Sequence, residues 1–191
     1  MKSKVFTIVV IFGMIMTAKG QEIKFGIKGG LNLAKLSDNG SGFSFRPAFH
    51  FGIVSEYHIS DDFSIQPELL YSSQGQKYQN DVALKLDYLN LPIMAKYYVD
   101  QNIYFEAGPQ FGVLLSAKDE IDGESSESIK DVYRDIDFGF NIGLGYKFEG
   151  GLSFNARYYH GIANVYSWLD EFISDQKVHN KVLQLSIGYL F

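Results

Sequence analysis

The sequence predicts an all-β fold: an eight-stranded antiparallel up-and-down transmembrane β-barrel behind a cleaved N-terminal signal peptide. Three observations carry this expectation. Apolar and polar residues alternate with a period of two in eight separate stretches, glycine crowds the polar parity of those stretches, and the connections between them alternate long and short. The 191 residues then divide into a signal peptide, residues 1–20, and one barrel domain, residues 21–191.

The leader comes first. Lys2 and Lys4 form a positive end, Val5 to Met16 is an unbroken apolar run, and Ala18 and Gly20 place small side chains at the −3 and −1 positions of a cleavage site. The run is too short to span a bilayer as a helix, and no later run approaches the roughly 20 residues that spanning requires. Cleavage removes three lysines and no acid, taking the formal charge from −5 to −8. A chain this acidic has no basic footprint for nucleic acid. The absence of cysteine excludes a disulfide scaffold, a thiolate metal site and a lipidated cysteine.

The strands follow in order. Ile23, Phe25, Ile27, Leu31 and Leu33 oppose Lys24, Gly26, Lys28, Gly30 and Asn32. Phe45, Phe49, Phe51, Ile53, Tyr57 and Ile59 oppose Arg46, His50, Gly52, Glu56 and His58. Phe63, Ile65, Leu69 and Tyr71 oppose Ser64, Gln66, Glu68, Ser72 and Gln74, and Leu89 to Val99 sets its odd positions against Asn90, Met94 and Lys96. In the second half, Ile103, Phe105, Ala107, Phe111, Val113 and Leu115 oppose Glu106, Gly108, Gln110, Gly112 and Ser116. Phe138 to Phe148 opposes Asp137, Gly139, Asn141, Gly143, Gly145 and Lys147. Leu152, Phe154, Ala156 and Tyr158 oppose Ser153, Asn155, Arg157 and Tyr159, and Leu183 to Phe191 opposes Gln184, Ser186 and Gly188. A helical period would mix these faces.

Alternation alone does not say which face is inside. A soluble barrel of the lipocalin kind turns its apolar face inward; a membrane barrel inverts it. Ten glycines lie on the polar faces, where they would make room in a narrow lumen for large neighbours. The apolar faces hold more Phe, Tyr, Leu and Ile than a small interior accommodates. Tyr57, Phe63, Tyr71, Tyr97, Phe105, Tyr158 and Tyr189 stand near strand ends, as interfacial girdles require. The short connections are 60–62, 100–101 and 149–151; the long ones run over about 37–44, 75–84, 117–135 and 163–180. Short periplasmic turns and longer outside loops are the outer-membrane pattern, though lipocalins share the topology.

Several segments together resemble the PorT-like (porin family) outer-membrane β-barrel proteins of the Bacteroidota: FGIKGGLNLAKL, FHFGIVSEYHIS, FSIQPELLYSSQGQK, LDYLNLPIMAKYY, AGPQFGVLL, FGFNIGLGYKF, ARYYHGIANV and LQLSIGYLF. The resemblance implies an eight-stranded barrel in the cell outer membrane, in most cases without an assigned activity. The namesake's link to a secretion system does not transfer on resemblance. Phe191 resembles the terminal signal that the barrel-insertion machinery reads during biogenesis.

Chemistry-bearing residues are sparse. The expected lumen holds Lys24, Lys28, Arg46, Glu56, Glu68, Lys96, Glu106, Asp137, Lys147 and Arg157, and buried charges persist only when paired. A salt-bridge plug is therefore expected, with Lys28, Glu68, Lys96, Glu106 and Arg157 at its centre. His50 and His58 share a face but stand about 26 Å apart along a strand, too far to chelate one metal. No nucleophile elbow, zinc-helix motif or phosphate loop occurs, so no catalytic residue, cofactor or metal site is expected. Two loops stand out. One carries seven acids between Asp119 and Asp135. The other sets Val165, Trp168, Leu169, Phe172 and Ile173 at i, i+3, i+4, i+7 and i+8, one face of a short amphipathic helix. Trp168, Leu169 and Phe172 are the candidate contacts for an unidentified surface protein.

The leading reading is a non-enzymatic integral outer-membrane protein with a filled lumen, surrounded by outer-membrane lipid, acting structurally or through its long outside loops. The alternatives are a narrow ion or small-solute pore, a secretion-system component, and a soluble periplasmic carrier.

Overall fold

The structure, a computed structural model, describes residues 23–37, 44–78, 82–121, 124–126, 128–167 and 177–191. The expected signal peptide lies outside them. Eight long strands make a closed antiparallel ring: β1 (Ile23–Leu36), β2 (Arg46–His58), β3 (Phe63–Lys77), β4 (Val82–Tyr98), β5 (Ile103–Ile121), β7 (Ile136–Lys147), β8 (Leu152–Gly161) and β9 (Asn180–Leu190). Each pairs with the next in the chain, and β9 pairs with β1 from Gly26↔Leu190 to Leu36↔Asn180. β6 (Glu124–Ser125) adds two residues beside the far end of β5 and takes no part in the ring.

The polarity is inverted. Phe51, Ile93 and Ile187 are 55%, 40% and 53% exposed, whereas Glu68 and Arg157 are 2% and 1% exposed. Apolar side chains thus cover the outer wall and polar ones fill the interior, which overturns the reading as a carrier with an apolar lumen. The wall is aromatic toward both ends. Tyr71 packs against Phe49 and Phe51 (ring centroids 5.9 and 5.3 Å), and Phe148 against Tyr146 and Phe154 (4.7 and 5.7 Å).

The short turns fall where expected. Asp100 closes the β4–β5 turn by accepting from the backbone amides of Ile103 and Asn102, 2.7 Å each, and these bonds hold its carboxyl below the usual carboxylate range. Gly150 and Gly151 take φ of 91° and 93° in the β7–β8 turn, a conformation that a side chain would strain.

Two expectations are corrected. The stretch 75–84 is not a long loop: β3 runs to Lys77 and β4 starts at Val82, paired as far as Lys77↔Ala83. β5 likewise continues to Ile121, after its register slips by one residue opposite Asp87 and Tyr88. The slip moves inward parity from Leu114 to Ala117, both fully buried. The strands extend because they carry an inward apolar row at this height: Leu84, Leu86, Tyr88, Leu114 and Ala117 pack with Leu36, Tyr133 and Val165.

The second correction concerns the glycines. Gly145 does make room for a lumen side chain, since a Cβ there would strike the ring of Tyr104, and at Gly139 a Cβ would meet both the His160 carbonyl and the Tyr159 ring. At Gly30, Gly52 and Gly108 the obstacle is instead a neighbouring strand's carbonyl, of Leu185, Leu69 and Ile93 respectively. Those three permit close passage of backbone past backbone in a tightly curved wall.

Replacing Gly145 by Val should therefore displace Tyr104 and lower stability by about 1–3 kcal/mol, the usual penalty of overpacking. Urea unfolding of the protein inserted in lipid vesicles measures it; an unchanged midpoint would show that Tyr104 does not depend on that seat.

Candidate functional site

The inward residues form layers, and the middle layer is ionic. β5 presents Glu106, β7 Gly143 and β8 Arg157 in one cross-strand row, through Glu106↔Gly143 and Gly143↔Arg157. A Cβ at Gly143 would strike the Ala156 carbonyl and press on Glu106 Oε1, so the row has no room for a side chain there. Arg157 reaches Glu106 with Nε (2.7 Å to Oε1) and Nη2 (3.1 Å to Oε2), and reaches Glu68 with Nη1 (2.9 Å to Oε2) and Nη2 (2.8 Å to Oε1). Both carboxylates are gripped by two parallel bonds, the strong geometry for this pair. Lys28 adds an ammonium to Glu68 at 3.3 Å, and Asn155 donates to Glu106 at 2.7 Å.

Lys96 lies directly opposite Glu106 in the β4–β5 register, yet it does not pair with it. With Glu106 filled by Arg157 and Asn155, Lys96 turns toward the short-turn end, crosses the Tyr104 ring at 4.4 Å and donates to Gln66 Oε1 at 2.6 Å. It also meets Glu56 at 3.5 Å, where Lys147 contributes a second ammonium at 3.1 Å and Ser64 and Tyr98 donate their hydroxyls. Gln66 donates in turn to Glu68 at 2.6 Å and so joins the two clusters. The geometry brings Lys28, Glu68, Glu106 and Arg157 into one group and Lys96 into the adjoining one, centred on Glu56. The sequence showed Glu56 and Lys147 as lumen residues but not as a second centre, because their pairing depends on the stagger between strands.

Above this lattice the interior is neutral and polar. Asn32 donates to Ser72 Oγ (3.0 Å) and the Ser73 carbonyl (2.8 Å), and His50 bridges Asn32 Oδ1 and Ser186 Oγ at 2.8 Å each. Higher still, Tyr159 and Asn180 donate to Asp137 Oδ2 at 3.0 and 2.9 Å. The apolar cluster around Leu84 and Leu114 fills the interior toward the long-loop end, the rings of its loop residues Tyr133 and Tyr166 tilted against each other at 5.2 Å. At the opposite end lies a vestibule of about 320 Å³, lined by His58, Asp61, Tyr98, Asp100 and Lys147 among others.

Trp168, Leu169 and Phe172 lie outside the described residues. Val165, expected on the same helical face, is buried in a non-helical segment and packs in the apolar cluster. Phe191 is exposed on the outer wall, its amide donating to the Phe25 carbonyl at 2.8 Å. No group of three or more metal-ligating side chains occurs among the described residues.

Replacing Arg157 by Met removes every strong donor to Glu106 except Asn155 and leaves buried carboxylates uncompensated, a loss of about 3–5 kcal/mol. Adding Glu68→Gln and Glu106→Gln should recover much of it. Urea midpoints in vesicles test this, and equal midpoints for the single and triple variants would show that the carboxylates were not the source of the loss.

Comparison with known proteins agrees with this architecture. The outer membrane protein beta-barrel domain family matches residues 17–167. Neisserial surface protein A superposes with a TM-score of 0.57 at 15% identity, over 91% of this chain and 100% of that one. Ail, the attachment invasion locus protein of Yersinia pestis, does so with a TM-score of 0.53 at 15% identity, over 89% and 99%. At such identities the likeness is one of fold. No curated protein matches the chain. A match over most of the sequence, joined to a closed and inverted eight-stranded ring, establishes that the chain belongs to the outer membrane protein beta-barrel domain family and resides in the outer membrane.

Proposed function

We propose that this protein is a non-enzymatic outer-membrane barrel with a side-chain-filled lumen, whose role is structural or interactive and is exercised through its long outside loops. The observation that carries this reading is the fully buried Arg157 guanidinium, gripped by Glu68 and Glu106 across the middle of the barrel. Eight strands enclose an interior just wide enough for side chains to fill. Here that space holds ion pairs at mid-depth and an apolar cluster above them, an arrangement that favours mechanical closure over solute passage. The eight segments quoted above support a place in the PorT-like branch of the family. Trp168, Leu169 and Phe172 are the proposed contacts for a surface partner, and Phe191 the residue offered to the insertion machinery.

Planar-bilayer recording of the folded protein tests the closed lumen. The expected result is an absence of steady conductance above background. A steady, large conductance would overturn the reading and favour the pore.

A further inference from the structure

Outward-facing residues at the long-loop rim carry a charge pattern that the barrel itself does not explain. β1 and β9 place Lys35 and Lys181 directly opposite each other, and β8 continues the row with His160 opposite Lys181. The flanking residues Ala34, Leu36, Asn180 and Val182 are buried inside, so both lysines point to the outer wall. Like charges facing each other across an antiparallel pair are destabilising. Neither lysine makes an ion pair with any described residue; the Lys35 ammonium rests over the exposed Phe45 ring, 4.9 Å from its centroid. The comparable lysine pair elsewhere on the rim, Lys85 opposite Lys118, is relieved internally, since Asp87 lies 3.7 Å from Lys85.

The height of the row identifies what it meets. Along β9 the outer face reads Tyr189, Ile187, Leu185, Leu183 and then Lys181; along β1 it reads Phe25, Ile27, Gly29, Leu31, Leu33 and then Lys35. Eight to ten residues of tilted strand rise roughly 20–25 Å, the height of the apolar band. The lysines therefore sit at the outer-leaflet boundary, facing sideways into the headgroups, where the ligand within reach is a lipid's own anion. We propose that Lys35 and Lys181, with His160 beside them, form a binding site for the phosphate headgroup of an outer-leaflet lipid held against the β8–β9–β1 wall. Its acyl chains would lie over Leu183, Leu33 and Tyr158. The phosphate relieves the repulsion between the two lysines, and Phe45 keeps the Lys35 side chain level with it.

The test uses full-length protein in phosphatidylcholine nanodiscs doped with a minor fraction of lipid A, ejected and weighed by native mass spectrometry. The wild type should retain lipid A roughly thirtyfold better than K35Q/K181Q, since each lysine near an anionic surface contributes about a fivefold gain. K85Q/K118Q should retain it like the wild type. K181E, which turns the like-charged pair into an opposite one, should be at least as stable as the wild type in pure phosphatidylcholine and should lose the lipid. Equal retention by wild type and K35Q/K181Q would overturn the site. So would equal losses in both double variants, which would reduce the effect to general surface charge. Full displacement by millimolar inorganic phosphate would show that a free anion, and not a lipid, is what the row binds.

Discussion

Hydrocarbon offers the backbone no hydrogen-bond partner, and that constraint organises the whole protein. Each amide and carbonyl at membrane depth must be paired within the chain, and a sheet meets the condition only by closing on itself. The β1–β9 ladder, which joins the two ends of the chain's strand order, is therefore a necessity of the solvent as much as a detail of topology. Closure with eight strands then sets the bore, and the bore decides what the inward residues can be. Where neighbouring strands run close at Gly30, Gly52 and Gly108, even a methyl group would strike a carbonyl. Where large rings turn inward at Tyr104 and Tyr159, glycine on the adjacent strand receives them.

A narrow, closed bore also compels its charges to meet. Burying an ion pair gives little net stability against a well-packed apolar alternative, but removing one partner from such a pair is expensive. An apolar alternative would have to preserve the strand alternation, and filling both faces with apolar residues would erase the signal that distinguishes the wall from the lumen. The lattice of Arg157, Glu68, Glu106 and Lys28, continued through Gln66 to Lys96, Glu56 and Lys147, ties β1, β2, β3, β4, β5, β7 and β8 together across the axis. It fixes stagger as well as occupying the lumen, because each carboxylate is satisfied only when its partners stand at one height.

The same physics reverses where the strands leave the bilayer. In the membrane, β4 turns Leu89, Leu91 and Ile93 outward and Asn90 inward. Above it, the same strand buries Leu84, Leu86 and Tyr88 and places Lys85 toward the outside. The change of pattern marks the point at which lipid gives way to water outside, so the apolar row moves to the only dry place left, the interior. The one-residue slip in β5 brings Ala117 into that interior and lets the loop residues Tyr133 and Val165 seal it.

The amino-acid sequence by itself determined the eight membrane strands, the apolar and polar face of each and the three short turns, because these follow from local alternation and turn chemistry. It also determined which charged residues share the lumen, Arg157 and Glu68 among them, since parity places a side chain on a face. It did not determine which of them touch. Lys96 is opposite Glu106 and pairs with Glu56, a choice made by the stagger of strands that only the closed ring defines. Residues 75–84 read as a loop because the alternation of Leu84, Lys85 and Leu86 has the opposite sense to the membrane strands, and its meaning depends on where the bilayer ends. The facing of Lys35 and Lys181 likewise emerges only from the β1–β9 register, a contact between the two ends of the barrel chain that no local pattern encodes.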